Sequence, residues 1–239
     1  MFSIAQSTHD YMSLVLTHEC NKACPFCIDA YRGSGEVMSL ATVEAALAFG
    51  RAHAIKDILL IGGEPTLHPE VSTVVELVNE AGFRSIMTTN YMRPDIVRSL
   101  DGLVNCFNVS YYAQPKLPRQ ADFKSDITLH ALIHDRQLAS KEALDAFIDS
   151  HQESGHLKFS TLVPCNDWAA EHQRVEYLDT LDCEWVVLFN ELLGQVYRGA
   201  VIKRYDRIIN RSAHQSFKAH VDGQITQSWV RTQAAKCAS

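Results

Sequence analysis

Short apolar runs alternate with segments of helical periodicity along the first two thirds of the chain, and this alternation restricts the fold more than any other feature. Six runs have the length of buried strands: residues 12–17, 57–61, 83–89, 104–112, 127–134 and 157–163. Between them apolar residues recur at a helical spacing, as in residues 71–78. A strand–helix repeat predicts parallel strands joined by right-handed crossovers. A doubly wound sheet or a whole or partial (β/α) barrel satisfies it, and both gather their chemistry at the carboxyl ends of the strands.

Two regions depart from this rhythm. Residues 113–125 contain two prolines and no apolar period, so we predict a loop in place of the fourth helix. Later elements are predicted as a helix over 167–180, strands over 184–191 and 195–203, and a hairpin that turns at 221–224. No linker-like segment precedes this tail. We therefore expect one α/β domain with a core of residues 1–165 and a C-terminal extension of residues 166–239 that faces the substrate.

Charge and hydropathy narrow the functional classes. The 239 residues carry a formal net charge of −6, which supplies no argument for nucleic-acid binding. No apolar run approaches the roughly 20 residues that a membrane-spanning helix needs. Residues 1–10 lack the basic cap and apolar core of a signal peptide. We therefore expect a cytoplasmic protein without a membrane partner, in a compartment where thiols stay reduced.

Three cysteines directly after the first strand are the strongest chemical signal. Cys20, Cys24 and Cys27 lie within eight residues. Three thiolates can hold three irons of a 4Fe–4S cube, which leaves the fourth iron open to a small molecule. The alternative is zinc, with His18 as the fourth ligand, although structural zinc sites usually combine two ligand pairs. The remaining cysteines are isolated, which makes a second cluster unexpected: Cys106, Cys165, Cys183 and Cys237.

The motifs at the ends of consecutive strands resemble those of the radical S-adenosylmethionine (SAM) superfamily. The cysteine spacing, with the aromatic Phe26 before the last cysteine, resembles the cluster motif of that family. Gly62, Gly63, Glu64 and Pro65 follow the second strand and match its GGEP motif. A weaker signal, Thr-Thr-Asn at residues 88–90, ends the third strand. The resemblance extends over about residues 10–165.

The resemblance implies a partial (β/α)6 barrel, here with a degenerate fourth helix, and two cofactors. These are a 4Fe–4S cluster and SAM. In the family, one electron enters the cluster and cleaves a C–S bond of SAM, and the resulting 5′-deoxyadenosyl radical usually abstracts hydrogen from the substrate. The protein orients the cofactors and excludes water. A one-electron donor such as flavodoxin or ferredoxin is implied as a partner.

The resemblance also implies roles for particular residues. The three clustered cysteines bind the cluster, Phe26 lies near the adenine, and the GGEP turn receives the methionyl amino group. Glu64 acts there directly or by shaping the turn. Further implied contacts to SAM are Thr89, Asn90, Ser110, Arg136, Leu162 and Val163. The alternative reading is structural: Ser110 bonds the sheet backbone, Arg136 is solvated, and Leu162 and Val163 belong to the core.

The sequence leaves the substrate open. Candidates for a hydrogen donor or proton acceptor are Glu191, Tyr112 and Cys165, and the basic stretch 203–211 is either an anion-binding segment or a solvated surface helix. We expect a radical SAM enzyme with a small polar or nucleotide-like substrate. The alternatives are a peptide- or protein-modifying radical SAM enzyme and a non-catalytic metal-binding or regulatory protein. The oligomeric state does not follow from the sequence.

Overall fold

The computed structural model describes residues 11–29, 33–112, 114, 116–173, 175–187, 192–208 and 216–226. The strands are β1 (Tyr11–Val15), β2 (Asp57–Ile61), β3 (Arg84–Thr89), β4 (Cys106–Ser110), β5 (Asp126–Ile133), β6 (His156–Thr161), β7 (Glu184–Val187), β8 (Leu192–Tyr197), β9 (Ala200–Ile208), β10 (Phe217–Ala219) and β11 (Ile225–Thr226). The α-helices are α1 (Leu40–Ala52), α2 (Val71–Glu80), α3 (Pro94–Ser99), α4 (Lys141–Ser150) and α5 (Asp167–His172).

The chain divides into two compact units. The larger unit comprises the described parts of His9–Ala23, Asp29–Ile127 and His214–Ser239. The smaller unit comprises the described parts of Cys24–Ile28 and Thr128–Ala213.

In the larger unit the strand order is β11-β10-β1-β2-β3-β4. The pairs from β10 through β1, β2 and β3 to β4 are parallel, and β11 returns antiparallel to β10. Helix α1 begins where Ser39 Oγ accepts a hydrogen bond from the Thr42 N–H at 3.1 Å. Its buried side chains face β1, whose Met12 and Leu14 are fully buried. This apolar layer supports one face of the sheet and leaves the strand ends to position the site.

In the smaller unit the strand order is β5-β6-β9-β8-β7. Strands β5, β6 and β9 are parallel, whereas β7, β8 and β9 form an antiparallel meander. Helix α4 packs on β6 through Phe147, whose ring centroid lies 5.6 Å from that of Phe159. No helix in the described residues combines the length and apolar composition that a bilayer crossing requires.

The predicted α/β class is confirmed: of the first six strands, all but β4 are followed by an α-helix. The loop predicted for residues 113–125 is also present. Among its described residues the regular structure is one 3₁₀ turn, Gln120–Asp122. The hairpin predicted around residues 221–224 joins β10 to β11, with Gly223 at a φ of +85°.

Two predictions for the tail were wrong. The helix expected over 167–180 ends at His172, and a separate 3₁₀ turn follows at Glu176–Thr180. The strand expected over 195–203 is a hairpin, because Arg198 and Gly199 both adopt positive φ (+48° and +81°) and turn the chain between β8 and β9. Two consecutive positive φ values match the twist of a tight hairpin. The described part of the basic stretch 203–211 is therefore strand β9 and not a surface helix.

Candidate active site

The glycine turn after β2 packs against the backbone that follows β1. The Gly63 N–H donates to the Thr17 carbonyl and the Glu64 N–H donates to the Glu19 carbonyl, both at 2.7 Å. A Cβ atom added to Gly62 or Gly63 would overlap these same carbonyl oxygens. Gly62 also has a φ of +148°, which side-chain-bearing residues rarely adopt. Glycine is therefore required here by the close approach of the protein's own backbone.

Glu64 ties this turn to the end of β3. Its carboxylate is buried, and Oε1 accepts hydrogen bonds from the Thr66 N–H (3.2 Å), the Thr66 hydroxyl (2.7 Å) and the Thr89 hydroxyl (2.7 Å). Oε2 accepts from the Asn90 N–H at 2.7 Å. Four donors satisfy a charge that would otherwise be costly to bury. These hydrogen bonds shape the turn, and a direct role of Glu64 toward SAM stays a prediction.

The turn after β3 is fixed in a strained conformation. Tyr91 has a φ of +57°, a left-handed conformation that costs about 1–3 kcal/mol in a residue with a side chain. Its N–H donates to the Thr89 hydroxyl at 3.0 Å. Asn90 Nδ2 donates to Asn21 Oδ1 at 2.7 Å, while Asn90 Oδ1 accepts from the Met92 N–H at 3.0 Å. The end of β3 therefore holds the residue that follows Cys20.

Gln114 connects the ends of β3 and β4. Its Nε2 donates to the carbonyls of Ser110 (2.6 Å) and Asn90 (3.2 Å), and its Oε1 accepts from the Tyr112 N–H at 2.6 Å. Ser110 is half-buried, and Lys22 Nζ lies 5.7 Å from the centre of the Tyr112 ring. Gln114 was not among the predicted site residues. Its position in the loop that replaces the fourth helix was the available signal.

The smaller unit contains the second half of the cysteine segment. The Cys27 N–H donates to the Cys24 carbonyl at 3.2 Å, and none of the six cysteines in the described residues forms a disulfide. The Phe26 ring lies 5.8 Å from Trp168 and 6.2 Å from His134, measured between ring centroids. Trp168, which sequence reasoning missed, is the centre of this aromatic group.

Asn166 and Cys165 hold the cysteine segment from the carboxyl end of β6. Asn166 Oδ1 caps α5 by accepting from the Ala169 N–H at 2.8 Å, while Nδ2 donates to the Pro25 carbonyl at 3.0 Å. Cys165 Sγ lies 3.7 Å from the Phe26 carbonyl oxygen. Burial raises the pKa of the Cys165 thiol, which keeps it protonated as a hydrogen-bond donor.

The other predicted residues lie in different surroundings. The Arg136 guanidinium centre is 6.0 Å from the Trp168 ring, so Arg136 joins the aromatic group around Phe26. Leu162 is buried and Val163 is half-buried. Glu191 lies outside the described residues.

The chemistry of the donor set fits a 4Fe–4S cube, because three thiolates can each bind one iron. In the described residues no three His, Cys, Asp or Glu side chains are grouped as they would be around one metal ion. The thiolates of a 4Fe–4S cube each bind a different iron and do not converge on one point. His18, the fourth ligand of the zinc alternative, has its Nδ1 2.9 Å from Asp29 Oδ2.

The chain combines parallel α/β repeats with a cysteine-containing loop after β1 and a glycine turn after β2. The sequence model of the Radical SAM superfamily matches residues 14–151, more than half of the chain. The chain belongs to the radical SAM superfamily and is an enzyme. The family uses a 4Fe–4S cluster and SAM.

Curated relatives resemble part of the chain. A probable GTP 3′,8-cyclase of Sulfolobus acidocaldarius is 27% identical over 106 residues, which cover 43% of this chain and 34% of the relative. A GTP 3′,8-cyclase of Tolumonas auensis is 36% identical over 88 residues, which cover 35% of this chain and 26% of the relative. The chain thus spans about a third or less of the curated relatives that it matches.

A solved structure shares the fold. The crystal structure of Streptococcus suis SuiB bound to the precursor peptide SuiA aligns with a TM-score of 0.60 over 91% of this chain and 59% of that chain. The sequence identity is 12%, so the likeness concerns the fold alone.

Replacing Glu64 by glutamine tests the hydrogen bonds at this carboxylate. The glutamine amide matches the carboxylate in shape, but its NH₂ group donates where a carboxylate oxygen accepts. That NH₂ group would face the hydrogen-bond donor of Thr89 or of Asn90 and could not bond to it. We expect Glu64→Gln to lower the free energy of unfolding by about 1–3 kcal/mol in urea titrations. Glu70→Gln, on an exposed carboxylate without a capping hydrogen bond, is the control and should change it by less than about 0.5 kcal/mol. Equal stability of the two variants would contradict the assignment.

Replacing Asn166 by aspartate separates its two hydrogen bonds. The variant keeps the acceptor that caps α5 and removes the donor to the Pro25 carbonyl. We expect amide hydrogen exchange in residues 24–28 to accelerate about two- to tenfold, the effect of losing one hydrogen bond, with little change in α5. Ser140→Asp is the control, because Ser140 caps α4 by accepting from the Ala143 N–H. Unchanged exchange in residues 24–28 would show that the Pro25 contact is dispensable.

Proposed function

We propose that this enzyme binds its 4Fe–4S cluster through Cys20, Cys24 and Cys27 and that it reductively cleaves SAM at that cluster. With both cofactors bound, the site supplies a 5′-deoxyadenosyl radical that abstracts hydrogen from a small polar or nucleotide-like substrate. The supporting observation is the contact between the two motifs: the Glu64 N–H donates to the carbonyl of Glu19, the residue before Cys20. SAM and the cluster must lie side by side for the cluster to cleave SAM. The proposed SAM-binding turn must therefore contact the segment that carries the cysteines.

In this proposal the chain positions the cofactors by several means. Thiolates of the three cysteines bind iron, Phe26 packs near the adenine, and the backbone of Gly62–Pro65 receives the methionyl amino group. Glu64 fixes that backbone and acts on SAM directly or through the turn. Further contacts are proposed from Thr89, Asn90, Ser110, Arg136, Leu162 and Val163. Arg136 would pair with the SAM carboxylate, for which a planar guanidinium is suited.

Two candidates for proton or hydrogen transfer remain in the described residues. The Cys165 thiol is protonated and lies beside the Phe26 carbonyl, and Tyr112 follows the end of β4. Glu191 stays a prediction from the sequence. We also propose a one-electron donor such as flavodoxin or ferredoxin as a partner. The proposed location is the cytoplasm, where thiols stay reduced. We also retain a core of residues 1–165 with a substrate-facing extension of residues 166–239.

A small polar or nucleotide-like substrate is favoured over a peptide. The relatives named GTP 3′,8-cyclases resemble this chain in sequence, although only over part of their length. The peptide alternative draws on the fold of SuiB, which was solved with a precursor peptide at 12% identity. The sequence similarity to these relatives therefore favours a small-molecule substrate over a peptide substrate.

Anaerobic reconstitution tests the radical chemistry. With iron, sulfide, dithionite and SAM, we expect about four irons per chain and formation of 5′-deoxyadenosine. Both should be lost in Cys24→Ala, because a cube with two protein thiolates is poorly held. Cys183→Ala is the matched control, since Cys183 is similarly half-buried and lies outside the motif. It should retain the cluster and the product.

The rival non-catalytic reading has a different outcome. One tightly bound zinc, or a cluster that never yields 5′-deoxyadenosine under any reductant, would favour a metal-binding or regulatory protein. Retention of both iron and product in Cys24→Ala would contradict the ligand assignment while leaving the family intact.

A further inference from the structure

Three parallel strands of the smaller unit place basic and hydroxyl groups on one face of the sheet. His130 of β5 pairs in register with Lys158 of β6, and Ser160 of β6 pairs with Lys203 of β9. Partners in register project to the same face of a sheet, and residues two apart along a strand do so as well. His130 Nε2 lies 2.7 Å from Ser160 Oγ, which joins the two pairs. These four residues are termed the basic face.

The basic face is opposite to the face that packs on α4. Phe159 is fully buried and meets Phe147 of α4. Because side chains alternate along a strand, the neighbours of Phe159, Lys158 and Ser160, project to the other side. An apolar face against a helix explains half of the β6 sequence. The polar residues Lys158 and Ser160 belong to the basic face on the other side.

Like charges meet on the basic face, where Ser160 is buried and the side chains of His130, Lys158 and Lys203 are half-buried. Desolvation lowers the pKa of Lys203 well below its ordinary range, and the charge of Lys158 lowers it further. The pKa of His130 is also lowered well below its ordinary value, by desolvation first and then by the charges of Lys158 and Lys203. Each ammonium therefore raises the cost of charging the other groups. An anion bound beside them would lower that cost and stabilise the charged form of the lysines.

We propose that His130, Lys158, Ser160 and Lys203 form a subsite for the anionic group of the substrate, a phosphate or a carboxylate. The two ammonium groups and the hydroxyl donate to the anion, and His130 orients the Ser160 hydroxyl. Lysine is suited to this role because a compact charge on a flexible stem binds phosphate and carboxylate oxygens. That the ligand is a substrate rests on the proposed function, whereas anion binding itself does not require SAM cleavage.

Binding of two small anions tests the subsite. Inorganic phosphate and succinate are titrated into the reconstituted enzyme by calorimetry at low salt. We expect one of them to bind, and Lys158→Met and Lys203→Met each to weaken that binding about tenfold or more, because each removes a charged donor. Lys56→Met is the matched control, since Lys56 is exposed before β2, and should leave the affinity unchanged. Tighter phosphate binding indicates a phosphorylated substrate, and tighter succinate binding indicates a carboxylate.

A second measurement avoids substitutions that disturb folding. Lysines of the unsubstituted enzyme are labelled by reductive methylation with and without the bound anion, and the label is located by mass spectrometry. We expect protection at Lys158 and Lys203 and none at Lys56. Absence of anion binding, or equal effects at Lys56 in either experiment, would overturn the subsite. If anion binding persists in an enzyme that forms no 5′-deoxyadenosine, the proposed function fails and the anion site stands.

Discussion

The buried carboxylate of Glu64 is the interaction on which the site depends. A carboxylate removed from water costs several kcal/mol unless hydrogen bonds compensate, and four donors from the turns after β2 and β3 do so here. Because those donors come from two strand ends, satisfying the charge fixes both turns at once. The glycine turn is then set at the position where its N–H groups reach the carbonyls of Thr17 and Glu19. A local electrostatic requirement thereby determines the path of the chain toward Cys20.

The cysteine segment has an anchor near each of its ends. Asn21 is held by Asn90, and Pro25 is held by Asn166. Both anchors are asparagine side chains that also make a second, local hydrogen bond, to the Met92 N–H and the Ala169 N–H respectively. An amide can do this because it carries a donor and an acceptor on one rigid group. The loop geometry therefore depends on turn-forming residues at strand ends and not on the cysteines themselves.

Sequence reasoning succeeded where the determining interactions are local. Strand length and the proline-containing loop after β4 are encoded within a few residues, and the structure has them where they were predicted. It failed at the hairpin of Arg198, because positive φ in an arginine has no compositional signal. It also missed Gln114 and Trp168, whose contacts join residues that are distant in the sequence. The roles proposed for the cofactor-binding residues stay predictions from the motif.

The basic face shows why a proposed ligand site cannot always be recognised from the sequence. Its members lie on three strands, and only the register of β5, β6 and β9 brings them together. The whole chain has a net charge of −6, so an anion approaching from a distance meets no net attraction. Salt screens that net charge beyond about 10 Å at 0.1 M ionic strength, which leaves local groups to decide binding. Two half-buried lysines act over that short range more strongly than the same lysines fully exposed to water. Selection of an anionic substrate by this enzyme would therefore depend on strand register rather than on overall charge.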